Sequence, residues 1–179
     1  QDPAAFVKRR AAAYQAYYEH MPLRRIAIPR ASGMQLYQRS VFGDLVDFAM
    51  IDNRQYRSPA PCRSKEKGGG QVVTAECKEL FDDGRSLLGA EQERWLNGVF
   101  SRSKSVWTVV GNGEMFSRLF QKTKEGVEGW WTDDWNGFPT ARERVIAAMT
   151  RTKVANPVFV TGDIHSFWVN DVKQDFRDP

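Results

Sequence analysis

Apolar positions follow two rhythms along this chain. From Ala4 to His20 they recur at helical spacing in an Ala-rich run carrying Phe6, Tyr14, Tyr17 and Tyr18, which predicts an amphipathic helix ended by Pro22. Pro29, Ser32 and Gly33 mark a loop. Gln35 to Phe42 and Leu45 to Ile51 flank a Gly43-Asp44 turn and predict a β-hairpin. Residues 58–86 carry neither rhythm and read as a long loop. A helix opens near Gly89, with Glu91 and Glu93 where negative charge suits its dipole, and runs through Trp95, Leu96, Val99 and Phe100. Val106 to Val110 reads as a buried strand ending in Gly111-Asn112-Gly113, and Met115 to Phe120 as a short helix. Glu125 to Pro139 reads as a loop holding Trp130, Trp131 and Trp135. Thr140 to Thr152 predicts a helix, Val158 to Val160 a buried strand, and the alternation from Phe167 to Val172 another strand. Helix–strand alternation in the second half predicts an α/β layered fold.

Three of these strands hand over to polar residues at their carboxyl ends: Met50-Ile51-Asp52-Asn53-Arg54, Val109-Val110-Gly111-Asn112 and Val160-Thr161-Gly162-Asp163-Ile164-His165. Open α/β sheets place ligand sites at that edge. If the strands share one sheet, the rim gathers carboxylates, an amide, an imidazole and a guanidinium. The first three suit metal ions, and a guanidinium suits a bidentate phosphate contact. Together they point to metal-assisted phosphoryl chemistry. Each residue also has a plainer role. Asp163 and His165 serve equally as a turn cap and a hydrogen-bonded strand-end His, Asn112 as a turn residue, and Arg54 as half of a surface salt bridge. Asp52 either orients Arg54, caps the turn or binds metal, and Glu114 is either a ligand or a surface charge.

Composition narrows the classes. At 179 residues, 41% hydrophobic and 27% charged, the chain fits one globular domain with a sizeable core. No stretch reaches the roughly 20 apolar residues of a membrane helix. The net charge of +4 is mild, and the basic residues are dispersed apart from Arg63, Lys65 and Lys67. No block of basic residues interleaved with aromatics suggests a nucleic-acid reader. Cys62 and Cys77 bracket a polar stretch containing Gly68-Gly69-Gly70. A disulfide there contributes about 3 kcal/mol in the chain-entropy picture and implies an oxidising compartment; two free thiols in a mobile loop are the alternative. Gln1-Asp2-Pro3, without Met and leading at once into a helix, reads as a truncated, processed or partly represented start.

The chain resembles the C-terminal part of the PhoD-like alkaline phosphatases, a branch of the calcineurin-like metallophosphoesterases. The resemblance lies in Arg9-Arg10-Ala11-Ala12-Ala13-Tyr14-Gln15-Ala16-Tyr17-Tyr18-Glu19-His20-Met21-Pro22, Phe42-Gly43-Asp44-Leu45, Asp52-Asn53-Arg54-Gln55-Tyr56-Arg57, Leu88 through Leu96, Trp135-Asn136-Gly137-Phe138-Pro139 and Thr161-Gly162-Asp163-Ile164-His165. It implies that residues 1–179 are the C-terminal part of a single catalytic domain, an α/β/β/α four-layer sandwich with a metal site at the sheet edge. It implies hydrolysis of phosphomonoesters and phosphodiesters with iron and calcium. It also implies export by the twin-arginine route to the periplasm or beyond, in keeping with a Cys62–Cys77 bridge. By this analogy Asp163, His165 and Asn112 are metal ligands, Arg54 binds substrate phosphate, and Arg54 and His165 are the catalytic pair.

The chain departs from the family pattern at Gly113-Glu114, where an amide and an apolar residue are usual, and at Phe138, where Tyr is usual. The family's earlier ligands, including a Trp-Asp-Asp-His-Glu-like segment, are not in this sequence. Trp131-Thr132-Asp133-Asp134-Trp135 is the nearest look-alike and has no His. The chain therefore carries half of a dinuclear site, and an N-terminal segment, in cis or in trans, supplies the rest. A non-catalytic structural half is one alternative. An anion- or glycan-binding module using Trp130, Trp131, Trp135 and Arg54 is the other.

Overall fold

The computed structural model describes residues 2–31, 33–64 and 69–178. Ser32, Lys65, Lys67 and Gly68, named above in a loop, a basic cluster and a glycine triplet, lie outside them. The chain divides into two compact units, residues 1–38 and 39–179.

The first unit is built on helix α1 (Pro3–His20). Asp2 caps it by accepting from the amide of Ala4, Pro3 sits in the first turn, and Met21 is extended before Pro22. None of its residues is buried, so the expected amphipathic stripe is absent. Lys8-Arg9-Arg10 and Ala11-Ala12-Ala13 interrupt the apolar face with charge and with small side chains.

The second unit holds strands β1 (Gln38–Phe42), β2 (Val46–Met50) and β3 (Val72–Val73), helix α2 (Gly89–Arg102), strands β4 (Trp107–Gly111), β5 (Gln121–Lys122) and β6 (Glu128–Trp131), helix α3 (Pro139–Thr152) and strand β7 (Pro157–Val160). The main sheet has the order β1-β2-β4-β7. β4 runs parallel to both β2 and β7, with Met50 opposite Gly111 and Gly111 opposite Val160. The hairpin β1–β2 turns at Gly43, whose φ of 57° lies in the left-handed region. Arg39 and the buried Asp47 pair bidentately across it at 2.8 and 2.6 Å.

Helices α2 and α3 cover one face of this sheet. Ala49, Ile51 and Val110 meet Leu96, Val99, Phe100, Val145, Ile146 and Met149 in one buried cluster. Glu93 of α2 and Arg144 of α3 join the helices by a fork of 2.8 and 3.0 Å. The other face presents Met50, Val158 and Val160, all exposed. The fold is thus mixed α/β, as the alternation predicts.

A smaller antiparallel sheet, β3-β6-β5, occupies part of the segments read as loops. Residues 58–86 contain β3 and a 3-10 turn at Lys78–Phe81, and residues 125–139 contain β6 and a 3-10 turn at Trp135–Gly137. Their register is set by bulk: a side chain at Gly129 would meet Val72, and one at Gly137 would strike the backbone of Thr132. Cys62 and Cys77 form a disulfide, Cα–Cα 6.0 Å, packed with Leu80 and Trp130. Two expected elements are missing. Met115–Phe120 is not helical, because Met115 and Phe116 are drawn into the core and the amide of Leu119 bonds Asn136 instead of a preceding carbonyl. Phe167–Val172 is not a strand: among the described residues no strand pairs with it, and Phe167 and Val169 stand 91% and 83% exposed.

Candidate active-site rim

Parallel pairing brings the three polar strand ends to one edge. The amide of Ile51 bonds the carbonyl of Gly111, and that of Asn112 bonds the carbonyl of Val160, each at 2.9 Å. Beyond β2 the backbone is held by two side chains. Asp52 accepts from the amides of Arg54 (2.9 Å) and Gln55 (3.1 Å), an Asx turn that aims Arg54. Asp52 thus both caps the turn and positions Arg54. Gln92, buried on α2, accepts from the amide of Asp52 at 2.7 Å and donates to its carbonyl at 2.9 Å. Asn53 accepts from the amide of Gly113 at 3.2 Å and ties the β2 end to the β4 end.

Arg54, about half exposed, meets three carboxylates. Its Nη1 donates to Asp133 at 2.9 Å, its Nε lies 2.9 Å from Glu114, and its Nη2 lies 3.7 Å from Asp163. Arg57 donates to the same Asp133 at 2.7 Å. Burial pushes the Arg54 pKa down, but the bond to Asp133 and the charges of Glu114, Asp133 and Asp163 outweigh it and hold the guanidinium above its usual value. Burial likewise raises Asp133, and the bonds from Arg54 and Arg57 more than reverse it.

Glu114 is not a surface charge. It is fully buried; one oxygen is in ion-pair contact with Arg54 but out of line for a hydrogen bond, and the other has no protein donor. Burial raises its pKa to about 8 against the pull of Arg54 and Arg57. Asn112 is buried too. Its amide oxygen accepts from the indole of Trp135 at 3.2 Å and its amide nitrogen donates to the carbonyl of Glu114. Its amide oxygen retains a second lone pair.

Asp163 and His165 follow β7 in a tight turn and line one cavity of about 260 Å³ with Asp134 and Trp131. Both take left-handed backbone conformations, φ 69° and 58°, which cost non-glycine residues about 1 kcal/mol or more each. Both are exposed, and among the described residues Asp163 has the long contact to Arg54 alone. A loosely engaged carboxylate and an imidazole lining one cavity suit a cation chemically. Among the described residues, however, no three His, Cys, Asp or Glu side chains are close enough to enclose one. The described residues thus do not by themselves form a metal site.

Sequence reasoning singled out Arg54, Asp163 and His165, and the fold brings Arg54 and Asp163 together. It passed over Gln92, Arg57 and Asp133. Gln92 left a trace, as a polar residue on the stripe shared by Leu96, Val99 and Phe100. A glycan platform is not supported, since Trp130 and Trp135 are buried and only Trp131 reaches the surface.

Comparisons with known proteins agree with this fold. The family profile described as PhoD-like phosphatase matches residues 1–179. Alkaline phosphatase D of Bacillus subtilis (strain 168) is 38% identical over 177 residues, 99% of this chain and 29% of that protein. A solved structure described as the structure of PhoD superposes with a TM-score of 0.79 at 39% identity, over 92% of this chain and 30% of that one. The chain thus spans about 30% of the length of the relatives it matches.

Proposed function

The chain belongs to the PhoD-like phosphatases, and from that premise we propose that the protein hydrolyses phosphate monoesters and diesters with metal ions held in part by Asp163 and His165. The observation that carries this reading is the rim itself: a guanidinium braced by buried and half-buried carboxylates beside a strained Asp-x-His turn. The 179 residues act as the C-terminal part of one catalytic domain, and further ligands come from an N-terminal segment of the same enzyme, in cis or in trans. Iron and calcium are the metals the resemblance implies, and the carboxylate and imidazole donors suit them. The disulfide favours an oxidising compartment, the periplasm or the exterior.

Bound metal ions supply an activated water and neutralise negative charge. This chain's residues orient the substrate. Arg54 offers Nη2, its least engaged nitrogen, to a non-bridging phosphate oxygen, while Asp133 and Glu114 hold Nη1 and Nε in place. A guanidinium so fixed stabilises charge that builds on phosphorus oxygens during in-line attack. Asp163, only loosely engaged by Arg54 at 3.7 Å, would be available to help hold a metal ion. Asn112 donates to the Glu114 carbonyl and accepts from the Trp135 indole, and its oxygen would have one lone pair to offer a metal.

Hydrolysis of bis(p-nitrophenyl) phosphate at alkaline pH, with calcium and iron, tests this in the full-length enzyme. Turnover is expected to need metal and to fall by at least about a thousandfold in Asp163→Asn. Turnover unchanged in the variant would remove Asp163 from the site. Expressed alone, the 179 residues are expected to show none, because their own ligands do not enclose a cation.

A further inference from the structure

Side chains alternate across β6, so Trp131 and Trp130 face opposite ways. Trp131 lines the cavity of Asp163 and His165. Trp130 lines a separate cavity of about 500 Å³, walled by Arg118, Arg142, Phe81 and Phe176. Arg142, on α3, is 3% exposed. Among the described residues its guanidinium makes one hydrogen bond, to the amide oxygen of Asn136 at 3.3 Å, and it stacks on Phe176. Among the described residues no carboxylate comes within ion-pair distance of it. A buried charge in that condition is costly, which is why buried guanidiniums are almost always paired.

Among the described residues, three buried N–H donors around this cavity have no acceptor: Nε of Arg142, Nε of Arg118 and Nε1 of Trp130. Glu128 is already taken up by Arg118 and Arg177. Glu143 and Asp175 line the cavity without reaching Arg142. Burial, followed by the neighbouring charge of Arg118, depresses the Arg142 pKa to about 10 against the pull of Asp134 and Glu143.

We propose that this cavity binds a small oxyanion, inorganic phosphate being the probe, seated on Arg142, Arg118 and the indole N–H of Trp130. The site lies across the small sheet from the Arg54 rim and is independent of it. Phosphate meets the unpaired guanidinium and the orphaned donors at once, as charge-assisted hydrogen bonds do in general. The acidic lining holds the affinity to about the millimolar range.

Calorimetric titration of inorganic phosphate into the full chain carrying Arg54→Met, with a chelator present, isolates this site from the rim. One phosphate is expected to bind. Trp130→Phe, which keeps the ring and removes only the N–H, is expected to weaken it about tenfold, and Arg142→Gln to abolish it. Should Arg142→Gln not fold, Arg118→Lys takes its place, keeping the charge, losing the Nε donor and weakening binding about tenfold. Absence of binding in the Arg54→Met chain, or an affinity that Trp130→Phe leaves unchanged, overturns the proposal.

Discussion

Arg54 and Arg142 carry the same charged group into opposite surroundings. Arg54 is half exposed and meets three carboxylates, two of them within 2.9 Å. Arg142 is buried and meets none among the described residues, only an amide oxygen and an aromatic ring. Their pKa values move accordingly, Arg54 upward and Arg142 down to about 10. Coulomb attraction stabilises the first guanidinium, and desolvation dominates at the second. The number of compensating charges, not burial alone, separates a guanidinium braced for transition-state charge from one that calls for an anion of its own.

The sharpest break of this contrast is Arg54→Met. It strips Glu114, Asp133 and Asp163 of their common partner, and turnover of a phosphodiester is expected to drop by about a hundredfold to a thousandfold in kcat. Next is the disulfide. Cys62 and Cys77 pack with Trp130, against the wall of the Arg142 cavity. The Cys62→Ser, Cys77→Ser pair is expected to lower unfolding stability by about 3 kcal/mol in chemical denaturation. It is expected to disturb phosphate binding at Arg142 more than turnover at Arg54, and equal losses in both would join the two regions into one.

A third test uses Asp134, buried beside the Asp163 cavity and bonded by Asn136. Burial raises its pKa from 3.8 to about 6 despite those bonds. Because the folded state holds this proton more tightly, the stability it contributes is full below about pH 4 and is lost as pH rises through about 6. Asp134→Asn is expected to flatten that fall, about 2 kcal/mol, in melts taken between pH 4 and 7. An unchanged profile would place the pH dependence elsewhere on the rim.

Much of the main sheet was legible because β-branched runs, Val106–Val110 and Val158–Val160, end in Gly and polar residues, although the second, expected to be buried, is exposed along most of its length. The rim followed from those same ends. The smaller sheet was not legible, because β3 and β5 have two residues each and show no periodicity. Their pairing comes from β6, where Trp130 and Trp131 looked like loop aromatics. Arg142 was equally hidden: an Arg early in an amphipathic helix reads as solvent-facing, and only tertiary packing shows that α3 turns it inward. Phe167–Val172 erred the other way, since alternation is a statement about two faces and says nothing of whether a partner strand exists.

The smallest expected effect discriminates best between the two guanidiniums. Replacing an unpaired buried charge by an apolar side chain of similar length is neutral or stabilising in many folds, whereas removing one partner of an established pair destabilises. Arg142→Met, in buffer free of phosphate and sulfate, is therefore expected to raise the melting temperature by a few degrees, about 1 kcal/mol. It gives up one 3.3 Å bond to Asn136 and the stacking on Phe176, which caps the gain. Adding millimolar phosphate is expected to stabilise the parent chain and not the variant, narrowing or reversing the difference. Arg54→Met under the same conditions is expected to lower the melting temperature, because it leaves the buried Glu114 without its nearest counter-charge. Shifts of the same sign at both positions would mean that the carboxylates around Arg54 contribute nothing net, and that burial alone sets the cost of a guanidinium in this fold.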